Sequence, residues 1–179
     1  MAYGVINPVA TAATTIDSYN RSCISASAME NGSVVDLLTK SSTSGEAELW
    51  TATVPATANL KGLWMVYDPE VVWTADKYRG LDPDVRNYSI AIGTTFSAFK
   101  LIEGDLILMS ADAFTAVKST NGFANGTNGQ SQMVWGATQS NDTISMRYMA
   151  TEYFSIGTGA MDTQRFTAYL MEVLPINYA

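Results

Sequence analysis

The sequence has no histidine and only one cysteine among its 179 residues. Without histidine, neither a Ser-His-Asp nor a Cys-His catalytic arrangement can form, and the commonest zinc ligand is missing. A single thiol also excludes an internal disulfide and a thiolate zinc site. Cys23 lies in a strand pattern that alternates small apolar residues with serine, which predicts a small buried side chain and not a reactive thiol.

Basic residues are also scarce, with ten Lys and Arg against seventeen Asp and Glu, for a net charge of −7. Nucleic-acid binding needs a basic stripe that displaces counterions, so no nucleic-acid partner is expected. An anionic membrane surface is disfavoured for the same reason. The first residues carry no signal-peptide pattern and no apolar run is long enough to span a membrane, so we expect synthesis in a cytoplasm.

The remaining enzymatic option is a pair of facing carboxylates. Candidate pairs are Glu46 with Glu48, Asp68 with Glu70, and Asp82 with Asp84. An acidic chain offers such pairs by chance, and no phosphate-binding glycine loop accompanies them, so no enzyme activity and no cofactor are predicted. Asp82, Asp84 and Asn87 could supply three oxygens to calcium, but a capped turn is the preferred interpretation and no metal site is predicted.

The patterning predicts an all-β fold, either an antiparallel sandwich or a barrel. Hydrophobic residues make up 47 % of the chain and charged residues only 15 %, and no long amphipathic helix is evident. About ten short segments with period-2 alternation are separated by turn signals at the ~8–12-residue spacing of such folds. Asn31-Gly32 predicts a hairpin, and the three Asn-Gly pairs of Asn121–Gly129 predict a solvent-facing loop.

Residues 1–20 are predicted to form an extended N-terminal arm, because few large apolar side chains are available to anchor them. Whether the arm frays or lies along a neighbouring subunit is left open. Residues 21–179 are predicted to form a single β-rich domain, with a possible internal boundary near residues 77–87. The candidate protein-contact residues are Tyr3, Val5, Ile6, Val9 and Tyr19.

The four tryptophans, Trp50, Trp64, Trp73 and Trp135, could form a sugar-binding platform. Each lies within an apolar strand pattern, so core packing is the preferred interpretation.

Three segments carry a resemblance to a known family. They are Phe96–Ser110, with Phe99-Lys100 followed by Gly104-Asp105, then Thr151–Gly159, and finally Ala168–Leu174, with Glu172-Val173. Together they resemble the C-terminal β-domain of the decoration, or cement, proteins of tailed-phage heads. In that family, an aromatic–Lys–x–x–x–Gly–Asp turn precedes a strand that ends in Glu-Val.

The resemblance implies a virion structural protein bound to the outside of a capsid. The implied partners are the major capsid protein and further copies of the chain, as a homotrimer or another homo-oligomer. The implied role is to stabilise the shell by cross-linking neighbouring capsid subunits. Two alternatives stay open: another virion subunit (tail, baseplate or fibre base), and a carbohydrate-binding β module.

Overall fold

The computed structural model describes residues 3–42, 48–68, 85–116, 118, 122–157 and 163–176. This described part is all-β, with 48 % strand and no helix of seven or more residues, which confirms the predicted fold class. Its strands are β1 (Ile6–Ala10), β2 (Asn20–Ser25), β3 (Val34–Lys40), β4 (Leu49–Thr53), β5 (Trp64–Val66), β6 (Thr95–Lys100), β7 (Leu106–Ser110), β8 (Phe123–Asn125), β9 (Val134–Gly136), β10 (Ser145–Gly157) and β11 (Thr163–Val173).

Short 3-10 turns occupy Ala12–Thr14, Asp17–Tyr19, Thr57–Asn59, Val85–Asn87 and Ala111–Ala113. Within the same residues, no helix has the length and apolar character needed to cross a membrane.

The strands form one open sheet and one closed barrel. The sheet has the order β1-β7-β11-β10-β8-β9, with every neighbouring pair antiparallel. The barrel has the order β2-β4-β3-β5-β6 and closes where β6 pairs with β2. Its pairs are antiparallel except β2 and β4, which run parallel.

The sheet and the barrel share one hydrophobic core. Ile107 and Met171 from the sheet belong to the same buried cluster as Val34, Met65 and Phe99 from the barrel. A second cluster fills the barrel and includes Cys23, Val35, Ala52, Val66, Phe96 and Ala98. Alternation with period 2 produces this arrangement, because successive residues of a strand face opposite sides. The barrel is therefore packed against one face of the sheet.

The N-terminal segment is part of this fold, so the prediction of a free extended arm was wrong. Strand β1 is the edge strand of the sheet and pairs with β7, with Ile6 opposite Met109 and Asn7 opposite Leu108. Val5 and Ile6 are buried in the chain's own core. Backbone pairing holds this segment even though it contributes few large apolar side chains.

Buried and half-buried polar side chains also hold the N-terminal segment in place. The Glu30 carboxylate accepts a hydrogen bond from the Gly4 N–H (2.6 Å). The Ser110 hydroxyl accepts one from the Val5 N–H (3.0 Å), and the Asp105 carboxylate accepts one from the Ala12 N–H (2.8 Å). These acceptors lie far from the segment in the sequence, so apolar content alone could not reveal them.

Asn31-Gly32 forms a buried turn and not a hairpin, so the hairpin prediction was wrong. The flanking strands β2 and β3 are not neighbours, because β4 lies between them. The Asn31 side chain donates to the Asp68 carbonyl (2.9 Å) and accepts from the Asp68 N–H (2.8 Å). Gly32 has φ of +86°, and a Cβ there would lie 2.9 Å from Ile6 Cγ2, so both conformation and space require glycine.

Most of the segment 121–129 does not form the predicted solvent-facing loop. Its centre is strand β8, with Ala124 fully buried opposite Met146. A Cβ added at Gly126 would lie 2.7 Å from Leu63 Cδ1, so this position is packed tightly. Among the described residues of this segment, 122–129, only Asn128 and Gly129 are exposed. Backbone pairing with β10 explains why a segment so rich in glycine and asparagine is ordered in the sheet.

The possible internal boundary at residues 77–87 falls mainly outside the described residues, and so do Trp73, Asp82 and Asp84. Val85–Asn87 forms one of the 3-10 turns.

Candidate functional site

Strands β10 and β11 are the longest, and their outer halves extend beyond the sheet. Their neighbours stop early: β11 pairs with β7 from Ala168 to Glu172, and β10 pairs with β8 from Ser145 to Arg147. Further out, residues 151–157 and 163–167, here called the ribbon, pair with each other and with no other described strand. At about 3.4 Å per residue, the ribbon is roughly 20 Å long.

The ribbon carries aromatic side chains on both faces. Tyr153 lies on one face and is 59 % exposed. Phe154 lies on the other face beside its cross-strand partner Phe166, with the ring centroids 5.2 Å apart. The Arg86 guanidinium lies over the Phe166 ring, 5.5 Å from its centroid. Aromatic residues that stay partly or largely exposed outside the core are typical of protein-contact surfaces.

The five predicted contact residues do not form one surface. Val5 and Ile6 are buried in the chain's own core, so neither is available to a partner. Tyr19 is half-buried against that core, with the Lys100 ammonium 5.8 Å from its ring centroid. Tyr3 is half-buried and donates its N–H to the Arg86 carbonyl (2.7 Å). Val9 is exposed, at 54 %.

A cleft of about 570 Å³ opens beside the N-terminal segment and the turn at Ala111–Ala113. Its lining combines aromatic, charged and neutral polar side chains. The lining residues are Tyr3, Glu30, Ala111, Asp112, Phe114, Thr115, Ala116, Lys118, Gln132 and Tyr169. We call this the aromatic cleft. Its residues come from five separate stretches of the chain, so no local sequence pattern could have identified it.

Four aromatic rings support one wall of the aromatic cleft. Phe114 stacks on Trp135 with centroids 4.6 Å apart. Tyr169 packs edge-on against Trp135 (5.7 Å) and against Tyr148 (5.9 Å). The Lys118 ammonium lies 3.9 Å from the centroid of the Tyr148 ring. Edge-on and stacked pairs of this kind hold the wall in a defined geometry.

Glu30 connects the polar groups of the aromatic cleft. One carboxylate oxygen accepts from the Gly4 N–H, and the other accepts from Gln132 Nε2, which also donates to the Asp112 carbonyl. Burial raises the pKa of Glu30, the two hydrogen bonds oppose the rise, and the nearby Asp112 carboxylate adds to it. The result is a chain of fixed hydrogen-bonding groups along one side of the cleft.

Asp105 belongs to the Gly104-Asp105 pair on which the resemblance to decoration proteins partly rests. Its contacts show that it stabilises the fold. It is buried, and its two carboxylate oxygens accept from the Ala12 and Ile102 N–H groups (2.8 and 2.9 Å). Burial raises its pKa, and the two backbone hydrogen bonds oppose the rise. Its backbone carbonyl also accepts from the Val173 N–H (2.9 Å). Asp105 therefore ties the N-terminal segment and the end of β11 to one turn.

Cys23 is fully buried inside the barrel, as the sequence predicted. Burial raises the pKa of its thiol to about 12, and the nearby Arg21 charge only partly opposes the rise. Because the thiolate is the nucleophilic form, this thiol stays unreactive at neutral pH.

The three described tryptophans pack against the core, which confirms the preferred interpretation for them. Trp135 is buried, whereas Trp50 and Trp64 are half-buried against the cluster inside the barrel. The Arg21 guanidinium lies 5.2 and 5.6 Å from the Trp50 and Trp64 ring centroids, respectively.

The carboxylate pairs cannot be compared with the structure as pairs, because Glu46, Glu70, Asp82 and Asp84 lie outside the described residues. Asp68 accepts a hydrogen bond from the Tyr88 hydroxyl. Within the described ranges, no three His, Cys, Asp or Glu side chains form a cluster of the kind that holds a metal ion.

No protein-family model, curated protein or solved structure matches this chain.

Proposed function

We propose that this chain is a virion structural protein that binds other protein subunits through its ribbon. The proposed partner is the major capsid protein on the outer surface of a tailed-phage capsid. The observation that carries the protein-binding part is that Tyr153, Phe154 and Phe166 lie on the ribbon, which no other described strand flanks, with Tyr153 exposed. The capsid setting rests on the resemblance to decoration proteins.

The energetics of the ribbon favour docking on another protein. A two-stranded hairpin alone is at best marginally stable in water. Fully burying an exposed large apolar side chain contributes about 1.5–3 kcal/mol, the half-buried Phe154 and Phe166 would contribute less, and tyrosine is enriched among the residues that dominate binding energy. Contact along both ribbon faces would contribute to an interface of the usual ~800 Å² per partner.

A cross-linking role needs a second contact on the same molecule. Val9 on the edge strand β1 is exposed and apolar, and it is the candidate among the five sequence-predicted contact residues. The net charge of −7 would repel packaged DNA, which favours the outer side of a shell. Association of the chain with itself, as a trimer or another homo-oligomer, is part of the same proposal, and light scattering of the purified chain tests it.

The direct test is cosedimentation with capsids assembled without this chain. The Tyr153→Ser variant should bind at least about tenfold more weakly than the wild type, equivalent to ~1.4 kcal/mol. Ile92→Ser is the matched control, because Ile92 is 67 % exposed and lies outside the ribbon. It should bind like the wild type.

Two outcomes would contradict the proposal in different ways. Equal binding by the wild type and Tyr153→Ser would remove the role of the ribbon. Binding to tails or baseplates and not to capsids would overturn the capsid assignment and favour another virion subunit.

A further inference from the structure

The geometry points to a second binding site, in which the aromatic cleft takes a neutral carbohydrate. The cleft volume of about 570 Å³ falls within the ~300–1,000 Å³ range of small-molecule sites. This inference does not depend on the ribbon or on a capsid, because the cleft lies on the body of the molecule.

The aromatic wall matches the apolar face of a sugar ring. Sugars present C–H groups on their ring faces and hydroxyl groups around their edges, so they pack on aromatic surfaces. Tyr169 and Phe114 line the cleft, and Trp135 supports both of them from behind. Because neighbouring rings hold Tyr169 in place, little side-chain entropy would be lost when a ligand packs against it.

The polar side of the cleft matches the hydroxyl groups. The hydrogen bonds from Gly4 and Gln132 use only part of the hydrogen-bonding capacity of the Glu30 carboxyl group in either of its protonation states. The Asp112 carboxylate, the Thr115 hydroxyl and the Gln132 amide line the same cleft. Glu30 and Gln132 are already fixed by their mutual hydrogen bond, so they are preorganised to receive ligand hydroxyls.

Other ligand classes fit this lining less well. A phosphate or another anion would meet the carboxyl groups of Glu30 and Asp112, and among the described lining residues only Lys118 carries a positive charge to offset them. A wholly apolar ligand would remove water from these charged groups without replacing their hydrogen bonds, which is costly. A neutral polyhydroxylated ligand avoids both penalties.

The test is a titration of the full chain, without capsids, followed by amide NMR. The probes are glucose, galactose, mannose and N-acetylglucosamine, with anionic N-acetylneuraminic acid for comparison. At least one neutral sugar should bind with a dissociation constant of about 10 mM or tighter. The resonances of Glu30, Gln132 and Thr115 should shift, and N-acetylneuraminic acid should bind more weakly.

Two variants and one control locate the site. Asp112→Ala removes an exposed carboxylate of the cleft, and Tyr169→Ala removes part of the aromatic wall. Each should weaken sugar binding at least about tenfold, whereas Asp142→Ala, which removes an exposed carboxylate outside the cleft lining, should leave it unchanged. If Tyr169→Ala does not fold, Asp112→Ala decides the test alone.

The inference is overturned if none of the neutral sugars shifts the cleft resonances at about 10 mM. Wild-type affinity in Asp112→Ala, or tighter binding of N-acetylneuraminic acid than of every neutral sugar, would overturn it equally. None of these outcomes affects the capsid-binding proposal, which is tested through the ribbon.

Discussion

The two halves of the β10–β11 hairpin lie in different environments although their pairing is continuous. In the inner half, Met146, Met171 and Val173 are buried in the core shared with the barrel. In the outer half, Tyr153 is exposed and Phe154 and Phe166 are only half-buried. The inner half contributes mainly to stability, whereas under the proposed function the outer half contributes mainly to binding.

This difference arises from the neighbouring strands and not from the hairpin itself. β7 and β8 flank the inner half and supply the rest of a sheet, while the ribbon has only its own two strands among the described residues. Segments with few buried apolar contacts open at low free-energy cost. The ribbon is therefore expected to exchange amide hydrogens much faster than the inner half.

The largest expected effect comes from removing a core side chain of the inner half. Met171→Ala should destabilise the chain by about 2–5 kcal/mol, because Met171 is fully buried and its loss leaves a cavity. Tyr153→Ala in the ribbon should change stability by no more than about 0.5 kcal/mol. Urea unfolding measures both, and similar losses in the two variants would contradict the division between the halves.

A smaller effect is expected at the turn that fixes the inner end of β11. Asp105→Asn should destabilise the chain by about 1–3 kcal/mol, because one backbone N–H would face the amide NH₂ and lose its acceptor. The control is Asp142→Asn, an exposed position where little change is expected. Thermal unfolding of the two variants compares them, and equal midpoints would show that the two hydrogen bonds of Asp105 do not matter.

The smallest expected effect is the pH dependence of stability that Glu30 causes. Burial is the main cause of the raised pKa of Glu30, and this raised value means that the folded state favours the protonated carboxyl. The contribution of Glu30 to the free energy of unfolding is therefore complete below pH 4.5, the ordinary pKa of a glutamate. It is lost as the pH rises through the raised pKa of the folded state. The wild type should lose stability relative to Glu30→Gln over this window.

Urea unfolding at a series of pH values tests this prediction. Tyr153→Ala serves as the control from the ribbon, since its stability difference from the wild type should not vary between acidic and neutral pH. A wild type that gains stability relative to Glu30→Gln as pH rises would contradict the assigned direction.

Local features of the fold were predictable from the sequence. Period-2 alternation indicated an all-β chain, and the alternation around Cys23 indicated a small buried side chain, which the structure contains. Barrel closure was not predictable, because it pairs β2 with β6, which lies more than 60 residues away. The N-terminal segment was misjudged because its anchors are backbone pairing and distant polar groups such as Asp105.

The candidate sites depended even more on tertiary structure. Alternation indicated short strands in general, but the sequence does not show that the strands beside the ribbon end early. The aromatic cleft brings together Glu30, Asp112 and Gln132, which no spacing rule connects. Of the predicted contact residues, Val5 and Ile6 belong to the core. Their burial depends on how the rest of the chain packs over the N-terminal segment, which the local sequence does not show.

Hydrogen exchange of the chain, free and bound to capsids, tests the central claim most directly. In the free chain, residues 168–172 should exchange slowly and residues 151–155 quickly. Capsid binding should slow exchange in the ribbon and leave residues 168–172 almost unchanged. Protection confined to other surfaces, with the ribbon still exchanging quickly in the bound state, would contradict the claim that the ribbon is the contact element.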